Sequence, residues 1–218
     1  MRNIFIALGI LLVPVIGYLV LQTGKNHYVR LPYFGTKRTV GVVHVIKGRK
    51  IADTIFHTIK PFELTDPLGH DFRSSQLKGH IYVCNFFYTS CPDVCKLVHS
   101  GMDSLIRIFG IHPDIKYLSI TVDPAHDTPL ILKRYAARYK ADSTRWYFLT
   151  GNRDTINALA RKAFLVDSGP ATHSQLLTLV DGHGHIRGYF DGTQEKEFKR
   201  LTDELIVLRL EQMREQLN

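Results

Sequence analysis

Residues 80–88, HIYVCNFFY, form an almost unbroken apolar run. A strand with one face in water alternates apolar and polar residues, and a strand covered on both faces does not. This stretch therefore requires a layer of structure on each side. The residues after it change period. In CPDVCKLVHSGMDSLIRIFG, Val94, Leu97, Val98, Met102, Leu105 and Ile106 recur at helical steps of three and four. The alternation then continues. IKYLSITVD reads as a second buried strand, and TPLILKRYAARYK as a helix with Thr128 as cap and Pro129 in its first turn. WYFLTG reads as a strand and RDTINALARKAF as a helix. SQLLTLVDGHGHIRGYFDG is a hairpin around Asp181-Gly182-His183-Gly184, and a last helix from about Glu195 carries Phe198, Leu201, Leu205 and Leu208 on one face. Before the first buried strand, PFELTDPLGHDFRSSQL reads as a hairpin turning at Asp66-Pro67-Leu68-Gly69. The expected class is α/β, a sheet with helices on both faces.

The amino-terminal part differs in kind. Residues 3–22, NIFIALGILLVPVIGYLVLQ, carry no charge and are long enough to span a bilayer core. No A-x-A-like cleavage site follows, so an uncleaved anchor is expected over residues 1–22, with Pro14 tolerated inside it. A basic connector follows over residues 23–58, where KRTVGVVHVIKG can add a peripheral strand pair from Val40, Val42, Val45 and Ile46 around Gly41 and Gly48. Residues 59–218 are the folded domain. The net charge of +8 is local: residues 23–60 hold eight Lys/Arg and one acid, Asp53, whereas residues 61–218 hold nineteen of each sign. A neutral domain lacks the basic face that nucleic acid requires, and a basic segment beside a membrane attracts anionic head groups. Four Lys/Arg within residues 23–42 against Arg2 favour a cytoplasmic domain by the positive-inside rule, which long translocated domains override.

Cys91 and Cys95 sit where the first buried strand meets its helix, four positions apart. Pro92 suits the first helical position, which makes Cys91 the expected cap, its sulfur facing free N–H groups and the positive end of the helix. Its thiol should therefore be acidified. One turn separates the two sulfurs, a spacing open to a disulfide or to a shared soft metal ion such as Cu(I) or Zn. A thioredoxin redox motif has two intervening residues, and this one has three. A peroxidatic centre would have a threonine three residues before the nucleophile, where Tyr88 stands. A metal needs a further ligand, and His173 is placed just before the hairpin strand expected beside the cysteine strand. His183 and His185 read as solvated turn residues, and Cys84 as core packing. Asp123 ends a strand on the same sheet edge, where it serves either as a turn residue or to orient a ligand. The layout, with its pair at the carboxyl end of a strand, is thioredoxin-like.

FFYTSCPDVC, SITVDPAHDTPLILKRYAARY and THSQLLTLVDGHG, in that order and with LPYFG ahead of them, resemble the SCO/SenC copper proteins that assist cytochrome c oxidase assembly. The resemblance covers about residues 30–205. It implies a thioredoxin-like fold behind one membrane helix, with Cys91, Cys95 and His173 binding copper as Cu(I) or Cu(II), and Asp123 near them. It implies a copper metallochaperone whose partner is the copper-carrying oxidase subunit, with a thioredoxin-like reductant or another copper carrier as further partners. It places the domain on the outer, periplasmic side of the inner membrane. It equally permits a thiol–disulfide oxidoreductase in which Cys91 and Cys95 are a catalytic redox pair. One departure is Lys96, where many members carry a second proline. With three methionines, Met1, Met102 and Met213, a methionine-rich carrier is not expected. A zinc-stabilised domain would unfold without metal, whereas a core of this size is expected to fold alone.

Overall fold

The computed structural model describes residues 30–46, 49–166 and 175–217. The expected anchor over residues 3–22 and the expected ligand His173 lie outside the described residues. Among the described residues no helix is long and apolar enough to cross a membrane.

The connector carries a strand pair, but the KRTVGVVHVIKG stretch expected to hold both strands forms only the first. β1 (Arg38–Ile46) pairs antiparallel with β2 (Arg49–Ile55). The next hairpin is β3 (Glu63–Thr65) and β4 (Asp71–Arg73), followed by a 3-10 turn over Ser74–Leu77. Asp66 makes the turn: its Oδ1 accepts the N–H groups of Leu68 and His70 at 2.8 and 2.9 Å, and Gly69 takes φ +85°. That backbone region is open to glycine at little steric cost.

The main sheet contains β5 (Ile81–Phe87), β6 (Ile115–Thr121), β7 (Trp146–Leu149), β8 (Leu176–Val180) and β9 (Ile186–Asp191), in spatial order β7-β6-β5-β8-β9. β5, β6 and β7 are parallel, β8 is antiparallel to β5, and β9 is antiparallel to β8. The helices are α1 (Val94–Ile108), α2 (Pro129–Arg138), α3 (Arg153–Ala158) and α4 (Glu195–Leu217). Every residue of β5 is buried, as its apolar run requires. Ile81, Val83 and Phe87 face α1, α2 and α4 in one core, while Tyr82, Cys84 and Phe86 face β3, β4 and α3 in the other. Burial of each large side chain contributes about 1.5–3 kcal/mol. Cys84 is fully buried, and burial pushes its thiol well up, as a core residue should be. α1 and α4 approach closely at Gly101, where a Cβ would come within 2.6 Å of the Phe198 ring.

Three local expectations are revised. The helix expected over residues 153–164 holds α-form only to Ala158 and widens into a π turn over Leu159–Ala163. Thr128 has the extended backbone of a cap, but its side chain makes no cap bond. The cap of α1 is Asp93, not Cys91. The reason lies in the preceding loop. The Cys91 N–H closes a turn onto the Tyr88 carbonyl at 3.2 Å, Pro92 and Asp93 bend the chain after that turn, and the Asp93 carbonyl accepts the N–H of Leu97 at 3.1 Å.

At the other end of the sheet, Asp181 Oδ1 accepts from the N–H groups of His183 and His185 and shapes the β8–β9 turn. Arg187 on β9 is 2% exposed and donates to Asp181, Glu211 and the carbonyls of Leu31 and Pro32, with its guanidinium 4.2 Å from the Tyr33 ring centroid. The LPYFG segment is thereby fastened to the domain.

Candidate metal centre

Although it is not the cap, Cys91 does what a cap does. Its Sγ accepts the backbone N–H of Cys95, the second residue of α1, at 3.3 Å. A large sulfur two residues ahead of the cap reaches a donor that a hydroxyl at the cap would take. Cys91 is 5% exposed and Cys95 0%, and both are free thiols. Burial pushes the Cys91 thiol up. Hydrogen bonds from the Cys95 side chain and N–H, the Tyr88 hydroxyl and the Asp93 N–H outweigh it, so the thiol ends below its ordinary value. The sequence expectation of an acidified Cys91 holds, carried by hydrogen-bond donors.

The loop holding Cys91 rests on a carboxylate that the sequence reading passed over. Asp127 is fully buried. Its Oδ2 accepts from the Thr89 N–H at 2.9 Å and the Thr121 hydroxyl at 2.5 Å, and its Oδ1 accepts from the Thr89 hydroxyl and lies 2.8 Å from His126 Nδ1. Asp127 thus ties residue 89, two before Cys91, to the end of β6. It also raises the pKa of exposed His126 by hydrogen bonding. Asp123 is half-buried in the same loop. Its carboxylate meets Arg153 at 3.4 Å, and its carbonyl accepts the N–H groups of His126 and Asp127.

Behind Cys95, one turn further along α1, lies a second missed group, His99. It is fully buried, with Nδ1 2.9 Å from the Tyr135 hydroxyl and Nε2 3.2 Å from Asn85 Nδ2. Asn85 accepts from Ser119, which accepts from the Trp146 indole at 3.0 Å. Burial takes the His99 pKa down to about 3, so the ring is neutral. Residues 91, 95 and 99 step one turn at a time, and that spacing was the available signal.

The pairing register fixes the position of β8. Leu177 is opposite Asn85 and Val180 opposite Tyr82, so β8 begins at the end of β5 that leads to the cysteines. His183 and His185 belong to the opposite end. His183 is exposed near Glu215, whereas His185 is more enclosed than expected, edge-on to Tyr33 at 5.3 Å. Among the described residues no three His, Cys, Asp or Glu converge as a metal set. The described part of the centre is therefore a pair of soft thiol donors in a largely dry setting, a fit to a soft cation that one further ligand would complete.

The fold and its cysteine pair define a thioredoxin-like α/β domain with a C-x-x-x-C at a strand-to-helix junction. Residues 52–205 match the SCO1/SenC family, and the chain belongs to that family. It is 30% identical over 159 residues to the SCO1 protein homolog of Bacillus subtilis, covering 69% of this chain and 82% of that one. Among solved structures it superposes on BsSco, described as a member of the Sco family of cytochrome c oxidase assembly proteins with a disulfide switch (TM-score 0.61, 23% identity, 70% of this chain and 93% of that one). It also superposes on yeast Sco1 with copper bound (TM-score 0.58, 23% identity, 69% and 87%).

Proposed function

We propose that this chain is a membrane-tethered copper metallochaperone that serves cytochrome c oxidase assembly. The observation that carries the reading is the pair of free thiols, one acidified, stacked at the start of α1. Thiolates bind Cu(I) well, and a lowered thiol pKa makes the ligand's proton easier to lose to a metal. His173 is the third ligand. It precedes β8 by three residues, which reach at most about 10 Å, and β8 starts beside the cysteine end of β5. Copper is cargo: Cys91, Cys95 and His173 hold one ion and release it by ligand exchange to thiolates of the oxidase subunit that receives it. The copper-bound yeast relative and the assembly role given for BsSco support this direction. Asp123 helps order the loop beside the site. Residues 3–22 tether the domain on the periplasmic side of the inner membrane.

The test is copper titration of the full chain in neutral detergent, reduced and oxidised. One equivalent should bind when Cys91 and Cys95 are reduced, and none after disulfide formation or in Cys91→Ser. No binding in either state would sink the reading.

A second reading has its own support in the acidified Cys91 lying against buried Cys95, the arrangement of a dithiol reductant. Such a protein would reduce the oxidase cysteines and need no histidine. His173→Ala separates the two: loss of copper binding together with oxidase assembly supports the carrier, and intact assembly without copper binding supports the reductant.

A further inference from the structure

A groove of about 1000 Å³ runs between the connector and helix α3 with its π turn, and none of its lining residues belongs to the cysteine loop. Its floor is apolar, with Phe56, Phe62 and Leu159, and Ile55 beside them is 59% exposed. Its rim is basic. Arg38 comes from the connector, Lys60 from the segment just after it, and Lys162 from the π turn. None of the three has a carboxylate partner among the described residues. Lys37 adds a fourth cation nearby, 5.8 Å from the Phe56 ring centroid. The one acid on the lining, Glu63, is engaged by Arg73 at 3.1 Å. The two walls are joined, because His57 Nε2 lies 2.7 Å from the Ala163 carbonyl.

We infer that this groove binds one anionic phospholipid, with the phosphodiester at Arg38, Lys60 and Lys162 and an acyl chain along the Phe56–Phe62 floor. Cations with no carboxylate partner among the described residues, set around an apolar floor, match a ligand with a charged head and a greasy body. A free anion would leave the floor unused. The uncharged stretch 3–22 ahead of the connector selects a lipid over an acidic peptide, since it leads the basic run directly from a bilayer. The inference shares with the proposed function only that reading of residues 3–22, and copper plays no part in its test.

The full chain in neutral detergent is titrated with water-soluble dihexanoyl phosphatidylglycerol and followed by amide chemical shifts. Parallel arms use dihexanoyl phosphatidylcholine, glycerol phosphate and an acidic apolar peptide. The expected result is saturable binding of the anionic lipid, at least about tenfold tighter than the zwitterionic lipid or glycerol phosphate. Each rim cation near a lipid surface is worth about fivefold. Lys60→Gln with Lys162→Gln should therefore weaken binding by more than about tenfold, with the unfolding midpoint unchanged. Lys196→Gln, at an exposed position on α4, should leave it unaltered. Equal response to both lipids, or an equal loss in Lys196→Gln, would overturn the site. Glycerol phosphate binding as tightly as the lipid would reduce it to a phosphate site, and a response to the peptide alone would reassign it to a protein partner.

Discussion

The two ends of the sheet bury charge in opposite ways. At the cysteine end a lone carboxylate, Asp127, is held by the Thr89 N–H, two threonine hydroxyls and one exposed histidine. At the other end a buried guanidinium, Arg187, is gripped by Asp181 and Glu211 at 3.0 and 2.9 Å. The first arrangement shapes a loop mainly with threonine donors and, among the described residues, sets no Lys or Arg in an ion pair with Asp127. Cys91 is likewise lowered chiefly by hydrogen bonds. The second arrangement fastens a segment, since Arg187 also holds the Leu31 and Pro32 carbonyls. Under the proposed function, a site that accepts and releases a cation is better served by the first, and a permanent attachment by the second.

Breaking the ion cluster should have the largest effect. Arg187→Met leaves Asp181 and Glu211 buried without their cation and should cost about 3–5 kcal/mol in urea unfolding. Adding Asp181→Asn and Glu211→Gln should recover much of it. Breaking the hub should cost less but act locally. Asp127→Ala strands the Thr89 and Thr121 donors, worth about 1–3 kcal/mol, and should speed hydrogen exchange at the Thr89 amide more than at β9. Equal loosening at both ends would show that the two are not separate devices.

A third effect is set by pH. His99 is neutral in the fold, with its pKa taken from 6.5 to about 3 by burial. Below about pH 6.5 the unfolded chain binds a proton that the folded chain refuses. The stability from neutral His99 is therefore complete above that pH and drains away as pH falls toward 3, by about 1.4 kcal/mol per unit. His99→Leu should lower stability at pH 7, because Asn85 and Tyr135 lose a partner, yet flatten this acid slope. An unchanged slope would remove His99 as its source. The smallest effect is expected from Tyr88→Phe. Losing the hydroxyl donor should raise the Cys91 pKa slightly, read from the pH dependence of alkylation.

The architecture was legible because its signals are local and redundant. The double-sided burial of β5, the helical steps of α1 and the turn chemistry at Asp66 and Asp181 all appear in short windows. Cys91 and Cys95 stand out as a pair at a strand-to-helix junction for the same reason. The supports were harder to read. In TVDPAHDTP, Asp123 draws attention by ending a strand, whereas Asp127 looks like a solvated residue before a helix; only the fold brings Thr89 across to it. Arg187 finds the Leu31 carbonyl across 156 positions, which no local pattern encodes. The cap of α1 was misplaced because Pro92 fits a first helical turn, and the turn from Tyr88 to Cys91 delays the helix by two residues.

The difference in depth between the two thiols carries one more consequence. Cys91 retains 5% of its surface, and Cys95 has none. Any thiol, disulfide or ligand-exchanging group arriving from outside must meet Cys91 first, and Cys95 can answer only from behind it. Depth becomes order in time: Cys91 is where an encounter begins, and Cys95 is where it is resolved.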